Sequence, residues 1–77
     1  MTELEFQHLP NSKIRFTTYT GKVYVGGNYV EHLPNKTEYY IITNPQAQGN
    51  LSKEEKIAKG ILIPIKPSII EEAIVIQ

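Results

Sequence analysis

The side chains that could perform acid–base or metal chemistry in this 77-residue chain are two histidines and eight glutamates, because it contains neither aspartate nor cysteine. A general acid–base pair or a hydrolytic metal site would have to combine His8 or His32 with glutamates. Most glutamates occur in stretches typical of a tail, a helix surface and a turn: Glu3 with Glu5, Glu54 with Glu55, and Glu71 with Glu72. Solvated surface charge explains this distribution better than a catalytic cluster. A ligand role for His32, beside a predicted bend, is the alternative to a half-exposed packing role.

Motifs for phosphate binding and covalent catalysis are also missing from the sequence. Gly26-Gly27 lacks the Gly-x-Gly-x-x-Gly continuation and a following helix, so it indicates a bulge, a bend or a close backbone approach within a strand. The three serines lie in turn or cap contexts without a nucleophile-elbow frame: Ser12, Ser52 and Ser68. We therefore expect a protein that is not an enzyme and that uses no cofactor and no metal ion.

The apolar residues are strongly biased toward β-branched side chains. The chain has 11 isoleucines, 4 valines and 6 threonines, against 5 leucines and 3 alanines. Such side chains lose rotamer freedom in a helix and fit a pleated sheet, so a mainly β protein is predicted. With a mass of 8.8 kDa, the chain has room for a single domain, which we place at residues 1–77. Because so small a domain buries a limited share of its surface, self-association would help to stabilise it.

Alternating apolar and polar residues predict a hairpin over residues 13–26, with its turn at Thr20-Gly21. Ile14, Phe16 and Thr18 share the inner face of this hairpin. The outer face is predicted to carry basic and aromatic side chains: Lys13, Arg15, Tyr19, Lys22 and Tyr24. Strand character resumes over residues 28–33, and residues 37–43 form the strongest β run.

The flanking segments carry weaker signals. Residues 1–12 are read as a polar amino-terminal segment, and residues 44–60 as a variable loop or a short helix. Ser52 and Glu55 have capping-box spacing, so a helix at residues 52–59 is one alternative and a mobile charged loop the other. Residues 61–65 predict an edge strand because Pro64 cannot donate a ladder hydrogen bond. Residues 67–71 then form one helical or 3₁₀ turn, and residues 73–77 the last strand.

The predicted fold is all-β in the main: a small, strongly bent, five-stranded antiparallel barrel with a short helical turn before the last strand. Closure into a barrel is expected because it removes exposed strand edges. SH3-like, Sm-like and OB-like barrels all fit this order of elements. Since no apolar run reaches the 18 residues of a spanning helix and the amino terminus is acidic, a soluble cytoplasmic protein without membrane contact is expected.

Two segments resemble the Sm-like family of small β-barrel proteins. Residues 14–26 are similar to its first half, where alternating apolar residues lead to a turn glycine, here Gly21, and a second glycine follows five positions later, here Gly26. Residues 62–70 are similar to its second half, with Lys66-Pro67 in place of the family's Arg-Gly. The resemblance implies an RNA-binding protein acting as an oligomeric ring. The Asp and Asn of the family's RNA site are replaced by nearby His32, Asn35 and Lys36.

Nucleic-acid binding is therefore one hypothesis for this chain. Small barrels stack bases on aromatic side chains beside basic ones. Since the formal net charge is zero, binding would depend on a local patch. The candidate residues are Lys13, Arg15, Tyr19, Lys22, Tyr24 and Lys66. An ordinary solvent-exposed face is the alternative interpretation of the same residues.

Protein interaction is the hypothesis that we prefer from the sequence. Seven of the 11 isoleucines lie in the last 17 residues, more than a small barrel is expected to bury. Self-association, or binding of a protein partner by strand addition, would cover them, whereas a purely core role is the alternative. The candidate interface residues are Ile61, Ile63, Ile69, Ile70, Ile74 and Ile76.

Overall fold

Five antiparallel strands and two short helices make up the part of the chain that the structure, a computed structural model, describes: residues 1–45 and 49–76. The strands are β1 Ile14–Thr18, β2 Val23–His32, β3 Thr37–Ile42, β4 Leu62–Pro64 and β5 Ile70–Val75. The helices are α1 Glu3–Gln7 and α2 Lys53–Ala58, and a 3₁₀ turn at Pro67–Ile69 precedes β5. The strands form one sheet in the order β4-β3-β2-β1-β5. The predicted mainly β fold with five antiparallel strands is confirmed.

The ten-residue strand β2 belongs to both halves of the sheet. Its first part pairs with β1 as far as Gly26, and its second part pairs with β3 from Gly27 onward. A Cβ atom at Gly26 would overlap the Ile42 carbonyl oxygen and lie 2.9 Å from the carbonyl carbon. The two glycines therefore do not end the strand. Gly26 allows the close backbone approach at which the sheet bends.

The sheet is not closed into a barrel. Strands β4 and β5 are its two outer strands, and within residues 1–45 and 49–76 no ladder joins one to the other. The predicted closure, which would have removed these edges, is thus not confirmed. Both outer strands keep one side without a neighbouring strand, and this side positions the candidate site described below.

The main core lies on the concave side of the sheet and is built around two phenylalanines. Ile14, Phe16 and Thr18 of β1 are buried, as the alternation predicts, while Arg15 is exposed. The rings of Phe6 and Phe16 have centroids 5.9 Å apart. The buried members of this cluster are Phe6, Ile14, Phe16, Ile41, Ile65 and Ile70. Burial of several large apolar side chains of this kind is the main source of stability in so small a domain.

Helix α1, within the segment that the sequence predicts to be polar, covers this core. Its Phe6 is fully buried. Asn28 Nδ2 donates to the Phe6 carbonyl at 2.9 Å, and Gln7 Nε2 donates to the Tyr39 hydroxyl at 3.2 Å. Thr2 and Glu5 form a complete capping box, the same spacing that marks Ser52 and Glu55. The helix and the burial of Phe6 are features of residues 1–12 that the sequence analysis does not predict.

Strand β3 is buried on both of its faces, which explains its unbroken apolar run. Ile41 points into the main core, whereas Tyr40 and Ile42 belong to a second cluster with Ile61 and Leu62. Leu51, just before α2, packs against this second cluster. Leu51 and Ile61, from the segment between β3 and β4, therefore pack on the side of β3 that faces away from the main core.

The second half of the chain settles two alternatives. Ser52 and Glu55 form the predicted capping box, so residues 53–58 are helical rather than a loop. The 3₁₀ turn before β5 is confirmed, but its N-cap is Lys66 and no side chain caps it. Strand β5 begins at Ile70, earlier than predicted, while residues 46–48 of the variable segment and Gln77 lie outside the described residues. Within the described ranges, neither helix has the length and apolar content needed to cross a membrane.

The bend predicts unequal effects for two adjacent glycine substitutions. Gly26→Ala should lower the free energy of unfolding by about 1–3 kcal/mol, because its methyl group meets the Ile42 carbonyl. Gly27→Ala is the matched control, since its Cβ would lie at an ordinary 3.4 Å from the Ile42 side chain. Urea unfolding of both variants measures the difference. Equal stability of the two variants would contradict this account of the bend.

Candidate interaction surface

The open side of β5 presents backbone hydrogen-bonding groups. β5 pairs antiparallel with β1, with Ile74 opposite Arg15, and the Ile76 N–H donates to the Lys13 carbonyl at 2.8 Å. Hydrogen-bonded and non-hydrogen-bonded pairs alternate in an antiparallel ladder. Ile74 and Ile76 therefore direct their backbone groups toward β1. Ala73 and Val75 direct their N–H and C=O groups the other way, toward the open edge.

Apolar side chains accompany these backbone groups. Ile74 is 37% exposed and Val75 is 42% exposed. On the convex face of the sheet, Ile74 lies beside Arg15, whose neighbour on the other side is Val25, also an exposed residue. The row Val25–Arg15–Ile74 runs from the β5 edge onto the face of the β1–β2 hairpin, with an exposed apolar side chain on each side of the exposed Arg15.

The candidate interface isoleucines from the sequence divide into three groups by burial. Ile61 and Ile70 are buried in the two cores, which leaves them no surface to offer a partner. Ile63 is half-buried and packs against the main core, and Ile76 is also half-buried. Ile69 and Ile74 are exposed. The core alternative therefore holds for part of the set, and only Ile74 and Ile76 adjoin the open side of β5.

The other outer strand, β4, has a different edge. The Thr43 N–H donates to the Ile61 carbonyl at 2.9 Å, and the Ile65 N–H donates to the Tyr39 carbonyl at 3.0 Å. The same alternation then turns the backbone of Leu62 and Pro64 toward the open side of β4. Pro64 has no N–H to offer there, as expected for an edge strand. The β4 edge is short and has lost one donor, so it is the less receptive of the two.

The predicted basic and aromatic face of the hairpin is only partly present. Lys13, Arg15, Lys22 and Tyr19 are exposed. Tyr24 lies opposite Phe16 and packs against the main core, so its predicted place on the outer face is wrong. Val23 and Val25 take the outer positions instead. The cause is the register of the hairpin. Because Thr17 pairs with Val23, the outer face of the second strand takes Val23 and then every second residue after it.

Lys66 is separated from the other candidate nucleic-acid residues. It lines a shallow groove between the start of α1 and the end of β4, together with Thr2, Tyr39 and Ser68. None of the other five candidates lines this groove. The structure thus brings Lys13, Arg15 and Lys22 to one half of the sheet, turns Tyr24 to the opposite face, and leaves Lys66 elsewhere.

A cluster of charges joins α2 to the sheet. Lys53 Nζ donates to Glu31 Oε1 and to Glu38 Oε1, each at 2.8 Å. The Tyr40 hydroxyl donates to the same Glu38 oxygen at 2.8 Å, and Lys36 lies 3.3 Å from the other. One lysine of the helix thus bridges a carboxylate of β2 and a carboxylate of β3. The cluster fixes α2 over the second apolar cluster.

These contacts change the pKa values of the groups involved. The hydrogen bond from Lys53, followed by those from Tyr40 and Lys36, lowers the pKa of Glu38 from 4.5 to about 2. The hydrogen bonds to Glu31 and then Glu38 raise the pKa of Lys53 well above its ordinary value. Burial and the hydrogen bond to Glu38 raise the pKa of Tyr40. All three groups therefore keep one protonation state around neutral pH, which suits a structural role rather than proton transfer.

The two histidines are apart from each other in the fold. His32 lies at the end of β2 and its Nδ1 is 3.3 Å from Thr37 Oγ1 on β3, while exposed His8 is the C-cap of α1. Among residues 1–45 and 49–76, no three His, Cys, Asp or Glu side chains are placed to hold a metal ion. His32 is an exposed strand residue with one hydroxyl neighbour.

The charge cluster makes a pH-dependent prediction. Because the pKa of Glu38 is lower in the folded state, its contribution to stability is present above about pH 4.5 and is lost as the pH falls through about 2. Lys53→Met removes the largest cause of this lowering. A carboxyl-carbon NMR titration should then find the Glu38 midpoint shifted from near 2 toward 4.5. Lys59→Met, at the end of the same helix, is the control and should leave the midpoint unchanged. An unshifted midpoint in Lys53→Met would refute the assignment.

Comparisons with known proteins supply no family for this chain: no family model, no curated protein and no solved structure matches it.

Proposed function

We propose that this protein is a non-enzymatic interaction module that associates with another polypeptide strand through the open side of β5. One observation carries the proposal. Ala73 and Val75 direct their backbone hydrogen-bonding groups away from β1 at the place where Ile74 and Val75 expose apolar side chains. An added strand would satisfy the backbone groups and remove the apolar side chains from water.

The protection of the two sheet edges supports the choice of β5. Natural proteins block open edges with proline, charge, bulges or short strands. β4 has three residues and carries Pro64. β5 carries Glu71 and Glu72 and a register shift in its first half, but no such device from Ala73 onward. The unprotected part of the edge is therefore the apolar stretch at residues 73–76.

Self-association is the form of this function that we favour, with a protein partner as the alternative. A 77-residue chain buries little surface on its own, so covering exposed apolar residues in a dimer adds stability that the monomer lacks. A second copy has the same open β5 edge, so one pairing would satisfy the backbone groups of both copies. The interaction requires no cofactor.

RNA binding of the Sm-like kind is a second candidate. The observation that favours it is the exposure of Lys13, Arg15 and Lys22 on one half-sheet. The set has less support than the β5 edge, because Tyr24 faces the core and acidic Glu72 lies beside Thr17 among the basic residues. With zero net charge, no long-range attraction to phosphate compensates for this.

Strand addition predicts that one backbone N–H controls association. Val75→Pro removes a donor that faces the open edge and leaves the ladder to β1 intact, so the concentration-dependent rise in mass should be abolished. Val75→Thr keeps the N–H and a similar shape, and it should associate like the wild type. Sedimentation equilibrium over a range of protein concentrations measures both variants.

Three outcomes would decide between the candidate functions. Loss of association in Val75→Pro with retention in Val75→Thr would support the β5 edge. Equal association of the two variants, with circular dichroism showing both folded, would refute it. A wild-type monomer that gains mass only with poly-U RNA, and loses this gain in the Arg15→Ala, Lys22→Ala double variant, would favour RNA binding instead.

A further inference from the structure

We propose that the strand added to β5 is β5 of a second copy, paired antiparallel about a twofold axis with the two Ile74 residues opposite each other. This inference rests on the proposed function and specifies its partner and register. It follows from three features of β5: the direction of its backbone groups, the place of its bulge and the order of its charged and apolar side chains.

Backbone direction limits the registers that are available. The outward groups belong to Ala73 and Val75, so a twofold pairing must bring these residues against outward groups of the second copy. Near the middle of the strand this leaves three centres for the axis: Glu72, Ala73 or Ile74. An axis at Val75 would use only the end of the strand.

Charge and regularity exclude two of these centres. An axis at Glu72 places two glutamates directly opposite each other, which is destabilising. An axis at Ala73 pairs Val75 with Glu71, yet Glu71 is the extra residue at the register shift, because Thr17 pairs with Glu72 and Thr18 with Ile70. A bulged residue is poorly aligned for a further ladder. The axis at Ile74 needs only residues 72–76, beyond the bulge.

The Ile74 register makes a regular and apolar centre. Ala73 of each copy pairs with Val75 of the other, which gives two hydrogen-bonded pairs flanking the axis. The Ile74 residues then form a non-hydrogen-bonded pair, whose Cα atoms lie about 4.5 Å apart. Such β-branched cross-strand pairs stabilise a sheet. Arg15 flanks the pair on both sides, since it is the β1 neighbour of Ile74.

The same register produces charge complementarity. Glu72 lies opposite Ile76 of the second copy, and the β1 neighbour of that Ile76 is Lys13. Glu72 and this Lys13 share the convex face and are two strands apart, about 10 Å between Cα atoms. Their side chains can meet over the intervening isoleucine. The twofold axis repeats the pair, so each copy contributes one glutamate and one lysine.

Twofold pairing also closes the assembly. Both copies use the same strand, so no open β5 edge remains after the dimer has formed. The β4 edges, with Pro64 on each, lie at the two ends of the extended sheet. The expected product is a dimer with a continuous ten-stranded sheet, rather than a fibre.

Single cysteines can test the register, because the natural chain has none. In I74C the two thiols lie within disulfide reach across the axis. The matched control is E72C, because its two copies are offset by four residues, about 13 Å along the strands. In a glutathione redox buffer, I74C should form disulfide dimers at least about tenfold faster than E72C.

Charge exchange provides a second and independent measurement. E72K should weaken dimerisation about five- to tenfold, because two symmetric attractions become repulsions. K13E should weaken it similarly, and the E72K, K13E double variant should restore most of the affinity. Since Lys13 and Glu72 are exposed, all three variants are expected to fold.

The outcomes distinguish the Ile74 register from the more general proposal of association through β5. Fast I74C crosslinking together with restoration in the double variant would support the Ile74 axis. Faster crosslinking of E72C, or no restoration by the double variant, would overturn the register and leave association through β5 standing. A wild type that stays monomeric in sedimentation equilibrium would overturn both the register and self-association through β5.

Discussion

The close approach of Gly26 to the Ile42 carbonyl is the constraint on which the rest of the fold depends. It lets one strand, β2, pair with β1 before the bend and with β3 after it. The two halves of the sheet can then enclose Phe16 from different directions, and α1 inserts Phe6 into the space between them. A side chain at Gly26 would force the two backbones apart and weaken every contact that depends on the bend.

The bent sheet leaves two outer strands that differ in chemistry. On the β4 side, Pro64 limits further pairing, and the chain from Leu51 through α2 covers the adjacent face, with Lys53 holding the helix in place. On the β5 side, no strand among the described residues pairs with the open side of the stretch after the bulge. We therefore propose that association uses the edge at which backbone groups and apolar side chains are exposed together.

Local patterns predicted much of the fold. Alternation predicted which residues of β1 face the core. The glycine pair left open a bulge, a bend or a close approach, and the capping spacing after Ser52 left open a helix or a loop; the structure selects the close approach and the helix. Long-range relations were harder to predict. The place of Tyr24 depends on the register of the hairpin, because valine and tyrosine suit either face of a strand. The burial of Phe6 depends on the space that the bent sheet encloses. For the site, composition indicated the C-terminal strands, but only pairing shows which isoleucines remain exposed.

Amide hydrogen exchange measured as a function of protein concentration would show whether the β5 edge receives a strand. The Ala73 and Val75 amides should become slower to exchange as concentration rises. The Ile74 amide, which already bonds to β1, should be slow at every concentration. Fast exchange of Ala73 and Val75 at all concentrations, or protection that appears only at Leu62 on β4, would contradict strand addition to β5.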